Sequence, residues 1–280
     1  MTYKMRQSLM KLGLYVCFSL IIIFFIFPIV WVLSLSFKSS EELYQVPPSL
    51  IPESFRLENY LFVIEHNQIL LYLWNSAKIV VLTVFVVLLI AIPAAFALSR
   101  YHFKFKSVVL FTIIMTQMIS AVVISIPLYR LFSQLGLLNH LFFLVIVYVA
   151  VVLPFSTWFL KGYFDTIPKE LDEAAIMDGC NKLEVLFKVI LPSSIPGIVS
   201  VVILVSVQSW SQFVIPFILL DRSELYPVSV GIVNLQSTQQ AVTTHYLAAG
   251  SVLSILPVII LFILLQRFIV GALTSGAVKG

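Results

Sequence analysis

The 280 residues are 60% hydrophobic and only 11% charged, more apolar surface than a water-soluble core of that length needs. A soluble globular enzyme is excluded, and the chain reads as an all-α integral membrane protein. Its net charge of +4 is spread so unevenly that it speaks for membrane orientation and not for nucleic-acid binding.

A span needs roughly 20 apolar residues to cross about 30 Å of hydrocarbon. Six stretches have that length, about 12–37, 75–99, 107–129, 141–160, 194–220 and 246–266, and the need to satisfy the backbone in lipid makes them helices. The first holds Phe24, Phe25, Phe27 and Pro28 and ends at the aromatic residues Trp31 and Phe37, which suit an outer interface. It is longer than the 7–15-residue apolar core of a secretory signal and has no small-residue cleavage pattern, so it is expected to stay as a transmembrane helix.

The polar loop from Lys38 to Trp74 carries Pro47, Pro48 and Pro52. Within it Leu57, Tyr60, Leu61 and Ile64 recur at helical spacing, which predicts a short helix on the outer surface covering the bundle. Lys78 is the one charged residue inside any span, close enough to an end to snorkel. Every span holds proline: Pro28, Pro93, Pro127, Pro154, Pro196 with Pro216, and Pro257. Each removes a backbone bond, and the resulting kinks suit either a rocking cavity wall or simple curvature. Gln117 in the third span and Gln208, Ser209, Trp210, Ser211 and Gln212 in the fifth are costly in lipid. They read as interhelical hydrogen bonds or as a translocation path.

Twelve Lys and Arg residues flank one side: Lys4, Arg6, Lys11, Arg100, Lys104, Lys106, Lys161, Lys169, Lys182, Lys188, Arg267 and Lys279. Four flank the other: Lys38, Arg56, Arg130 and Arg222. The positive-inside rule predicts both termini in the cytoplasm. Cys17 lies in the first span and Cys180 in a loop on the cytoplasmic side, so no disulfide is expected.

That cytoplasmic loop, 168–192, is the densest charged interval between two apolar segments. Glu170, Asp172, Glu173, Asp178 and Glu184 share it with Lys169, Lys182 and Lys188. Pro168 fits a first helical turn, the acids favour the positive end of the helix dipole, and Gly179 can end the helix in a left-handed conformation. Asn181, with Glu184 three residues on, restarts a helix as a capping box. The prediction is a short helix, a sharp turn and a second helix returning to the membrane at Pro192. Ala174 and Ala175 would keep one face thin enough for a partner to approach. A solvated loop with ordinary turn chemistry is the other reading of the same residues.

Glu173-Ala174-Ala175, Gly179, Val189 and Leu191-Pro192 resemble the EAA loop of binding-protein-dependent ABC importer permeases, with Val189 where the family usually has isoleucine. The resemblance implies a type I ABC importer transmembrane domain at 75–280, preceded by an N-terminal segment, 1–74, that holds the first span and outer loop. It also implies that Glu170, Glu173, Ala174, Ala175, Asp178 and Gly179 form a coupling helix docking in a cytoplasmic ATPase subunit. Leu57-Glu58-Asn59-Tyr60 and Asn75-Ser76 look like positions of the sugar-type branch. Trp210-Ser211-Gln212-Phe213 is similar to that branch's Trp-Asn-x-Phe pattern, with Ser211 in place of the asparagine. The tail from Gly271 to Gly280 looks like that of the smaller maltose-type permease subunit, so Gly276 and Lys279 are expected to reach the ATPases. The outer loop from Asp221 to His245 is expected to meet a solute-binding protein.

The nearest approach to a P-loop, Gly271 to Gly276 followed by Ala277-Val278, lacks the lysine and the hydroxyl. His66, His102, His140 and His245 are scattered through loops without ligand-like spacing, and there is no triad, paired carboxylate or cysteine cluster. The chain is therefore expected to catalyse nothing and to bind no cofactor or metal. ATP and Mg would be held by two partner ATPase subunits, beside a homologous second permease, an external binding protein and membrane lipid. The function this implies is import of a carbohydrate, a neutral oligosaccharide, across the bacterial cytoplasmic membrane. A sugar or polyol phosphate is the alternative cargo. An ion-coupled carrier would want ionisable residues at mid-membrane, which the spans lack; a non-transporting scaffold that docks partners through the loop remains the third reading.

Overall fold

The structure, a computed structural model, describes residues 3–235 and 244–277. Among them it is wholly helical: α1 (Tyr3–Phe37), α2 (Ser40–Leu43), α3 (Glu58–His66), α4 (Ile69–Arg100), α5 (Lys106–Thr116), α6 (Ala121–Gln134), α7 (Leu141–Asp165), α8 (Glu170–Met177), α9 (Lys182–Val185), a π-helical turn (Leu186–Ile190), α10 (Leu191–Ser193), α11 (Ile195–Ser211), α12 (Val214–Leu219), a 3₁₀ turn (Ser223–Leu225), α13 (Val228–Asn234) and α14 (Thr244–Ala277).

Among the described residues, four unbroken helices are long and apolar enough to cross a membrane, at Lys11–Phe37, Ile69–Arg100, Leu141–Asp165 and Thr244–Gln266. Two further spans result if each bent pair, α5 with α6 and 182–193 with α11, counts as one. The apolar window of α1 has none of its residues buried, a surface that a bilayer covers and water does not.

The third and fifth apolar stretches differ from the continuous helices predicted for them. Residues 107–129 divide into α5 and α6, which meet at 89°. The Thr116 hydroxyl turns back to the Ile113 carbonyl (2.7 Å), and Ser120, in an extended conformation, caps α6 by accepting from Val122 N–H. Side-chain oxygens thus supply the bonds that a through-going helix would have made. In the fifth stretch α11 stops at Ser211, and Gln212 is extended. The histidines are also not confined to loops, since His245 is a buried residue of α14.

The chain forms two compact units, Met1–Ile69 with Ile232–Ile255, and Leu70–Gly231 with Leu256–Gly280. In the first, α3 is the expected short helix. The Asn59 amide donates to the carbonyls of Ser36 (2.9 Å) and Lys38 (3.0 Å), satisfying groups that the end of α1 leaves open. Lys38 is only 1% exposed; its ammonium donates to the Ser49 carbonyl and lies 5.3 Å from the centre of the Trp31 ring. Phe62 stacks on Tyr246 at 4.2 Å.

Beside it the buried Glu42 carboxylate accepts from Glu53 N–H (3.1 Å) and the Ser54 hydroxyl (3.3 Å). Burial alone would raise its pKa, but the bonds from Glu53, Ser39 and Ser54 outweigh it and hold the group below its ordinary 4.5. A carboxylate depressed in the folded state contributes stability above its unfolded pKa and loses it as pH falls through the folded value. Hydrogen-exchange protection of residues 39–54 should therefore fall as the medium drops below pH 4.5. Glu42→Gln should lower that protection at neutral pH, roughly tenfold for one charge-assisted bond, and abolish the pH step.

In the second unit the core runs along α4, α7 and α11. Val87, Ala91 and Ala95, one turn apart on α4, are each 0% exposed, a small-residue stripe that lets helices approach closely. Asn75 donates to the carbonyls of Glu224 (2.8 Å) and Tyr226 (3.2 Å), and Ser76 accepts from Val228 N–H (2.8 Å). The pair pins the turn between α12 and α13.

Candidate functional site

The charged interval folds as its caps dictate. Glu170, Asp172 and Glu173 occupy the first turn of α8, where the helix dipole favours them. Gly179 takes φ +89°; its N–H donates to the Ile176 carbonyl (2.9 Å) and Cys180 N–H to the Ala175 carbonyl (3.0 Å), the paired bonds of a Schellman stop. Asn181 Oδ1 then accepts from the N–H groups of Leu183 and Glu184, while Glu184 accepts from Asn181 N–H (2.8 Å), completing the capping box. The chain continues through the π-helical turn to Ser194, where it bends by 77° into α11.

Glu170, Glu173, Ala174, Asp178 and Gly179 are exposed, whereas Ala175 is buried in the core of its own unit. The thin face is therefore presented by Ala174, while the small size of Ala175 lets α8 lie against the core. Sequence reading passed over the apolar residues among the charges. Leu171, Ile176, Leu183 and Phe187 are exposed, and Met177 is 88% exposed. Their signal was present, as large apolar side chains in an otherwise polar interval, but only the fold reveals that they face outward.

Arg100 was also missed, because in sequence it counted only as a flanking positive charge. Its side chain is 8% exposed and its Nε lies 2.5 Å from Asp172 Oδ2. Its other nitrogens donate to the carbonyls of Phe164 (2.9 Å) and Ile167 (3.1 Å).

The same unit contains a cavity of about 670 Å³ walled by α5–α7, α11 and α12, within the size range of small-molecule sites. Gln117, Gln208, Ser209, Ser211 and Gln212 line it, opposite aliphatic residues of α6 and α7; no charged side chain lines it among the described residues. Gln117 donates to the Val151 carbonyl (3.2 Å), next to the Ala150 carbonyl whose helix donor Pro154 removes. The Gln212 carbonyl accepts from Ser229 (2.8 Å) and Tyr148 (3.4 Å), holding the break after α11 open beside the cavity. The Ser209 hydroxyl, on a residue 5% exposed, has no hydrogen-bond partner among the described residues. Trp210, on the same helix, is half-buried and does not line the cavity. Gly276 falls in the last turn of α14, and Lys279 lies outside the described residues, as does 236–243 of the outer loop.

The described residues form an all-helical, multi-pass membrane chain with a capped, partly apolar loop and a cavity that no described charged side chain lines. Residues 87–275 match the family described as binding-protein-dependent transport system inner membrane component, and the chain belongs to that family. It is 32% identical over 279 residues to the inner membrane ABC transporter permease protein YcjP of Escherichia coli, covering 98% of this chain and 99% of that one. It is 31% identical over 279 residues to the trehalose/maltose transport system permease protein MalG of Thermococcus litoralis, covering 99% and 100%. A crystal structure of a bacterial ABC transporter involved in the import of the acidic polysaccharide alginate contains a chain of the same fold. Its TM-score is 0.81 at 24% identity, over 95% of this chain and 99% of that one.

Proposed function

We propose that this chain is a permease subunit that carries a neutral oligosaccharide into the cytoplasm, driven by ATPase subunits docked on the 170–187 loop. The observation that carries the coupling half is the exposed apolar set Leu171, Ile176 and Met177 on α8, Leu183 on α9 and Phe187 in the π-helical turn, all in a charged interval. Such residues cost free energy in water and gain it when a partner covers them. The cargo half is supported by the cavity: amides, hydroxyls and aliphatic surface suit sugar hydroxyls and ring faces, whereas a phosphate would want Lys or Arg. Both termini and the loop would then lie in the cytoplasm, with the second permease subunit, the ATP- and Mg-binding ATPases and a solute-binding protein completing the assembly. Glu170, Glu173, Ala174, Asp178 and Gly179 belong to this docked element, Gln117, Gln208, Ser209 and Gln212 to the path.

The test is ATP-driven uptake of radiolabelled neutral oligosaccharides by the reconstituted assembly, with sugar phosphates as competitors. Met177→Asp should remove the ATPase subunits from the purified complex, and neutral sugars alone should compete. ATPase retention by this variant would defeat the docking assignment; competition by sugar phosphates would defeat the cargo assignment.

A further inference from the structure

We infer that the last turn of α4 is the joint through which movement of the loop reaches the bundle, with Arg100 as its positioning residue; this rests on the importer reading. Three consecutive residues engage three successive parts of the chain. Ser99 donates to Asp165 (2.7 Å) at the end of α7, where Lys161 also pairs with Asp165 at 2.5 Å. Arg100 pairs with Asp172 of α8, at side-chain exposures of 8% and 14%. The Tyr101 ring lies 4.7 Å from the ammonium of Lys182, the first residue of α9. The last turn of α4 and the residue that follows it therefore hold the loop on both sides of the Gly179 turn.

Arg100 does more than neutralise Asp172. Its other nitrogens also donate to the carbonyls of Phe164, in the last turn of α7, and Ile167, just beyond it. Consequently α8 cannot shift without carrying the ends of α4 and α7 with it. The covalent route from α8 to the bundle is less direct, since it passes through the π-helical turn and the 77° bend at Ser194, features at which helices yield. A largely buried ion pair, made by a guanidinium that also binds the Phe164 and Ile167 carbonyls, to a helix whose Val87–Ala91–Ala95 stripe is fully packed is the stiffer connection.

The experiment compares uptake with ATP hydrolysis in the reconstituted assembly. Asp172→Asn, which keeps shape and removes charge, should lower molecules imported per ATP about fivefold or more with subunit assembly intact. Asp172→Glu should retain at least about half the ratio because it restores the charge pair. Arg100→Lys should lower the ratio as well, because lysine has no fork, and it carries the test alone if Asp172→Asn does not assemble. An unchanged ratio in Asp172→Asn, a proportional fall of uptake and hydrolysis together, or an Asp172→Glu as poor as Asp172→Asn would each overturn the joint. An unmodified assembly without ATP-driven uptake would overturn the importer reading and the joint with it.

Discussion

Gly231→Ala is expected to destabilise the protein by about 3 kcal/mol or more, at the upper end of overpacking costs. A Cβ at Gly231 would fall inside contact distance of Cδ2, Cε2 and Cγ of Tyr72. Those atoms run along one edge of the ring from its root and are not a flexible tip. Tyr72 is itself 7% exposed and lies beside Tyr226, with ring centres 6.4 Å apart, so it has little room to swing aside. Gly197 repeats the arrangement: its Cβ would stand 2.5 Å from Tyr163 Cγ, where α11 crosses α7. Thermal unfolding of the detergent-solubilised complex should show midpoints lowered by several degrees for each alanine, at roughly 2–4 °C per kcal/mol for a unit of this size. Adding Tyr72→Leu to Gly231→Ala should recover part of the loss, since the ring is the obstacle; additive losses would show that something else is.

Gly179 tests the opposite situation, a glycine needed for its backbone alone. Nothing lies within 4 Å of a Cβ added there, yet its φ is +89°. Substitutions should therefore follow conformational preference and not size. Asparagine should be tolerated best, alanine should cost about 1–2 kcal/mol, and valine more. Gly179→Pro, with φ held near −65°, cannot make the Schellman stop and would turn α8 away from its docking direction. Under the proposed docking of ATPase subunits on this loop, substrate-stimulated ATP hydrolysis and uptake should uncouple by about tenfold or more in this variant, the equivalent of about 1.4 kcal/mol or more. Full coupling in Gly179→Pro, or a graded effect that tracks side-chain volume, would count against it.

Much of the candidate site was legible because it is local. The Gly179 stop, the Asn181–Glu184 box and the acids at the start of α8 each depend on residues within one turn of one another, so spacing alone predicts them. Asn59 and Asn75 were visible only as residues of a family pattern. Their work, satisfying carbonyls 21 to 151 residues away in the chain, could not be seen without the fold. The break between α5 and α6 escaped because Met118 and Ile119 keep the hydropathy high across it, while the deciding bonds are made by the small polar side chains of Thr116 and Ser120.

Composition, hydrophobic run lengths and caps determined that this protein is a helical membrane chain with a capped charged loop, because those signals act over a single helix or turn. Only the tertiary structure decided that Ala175 faces inward and Met177 outward, that three glutamines share one cavity, and that Arg100 holds Asp172. Each of those outcomes depends on which distant segments meet, and side-chain direction at a contact is fixed by packing between elements and not by the order of residues within one.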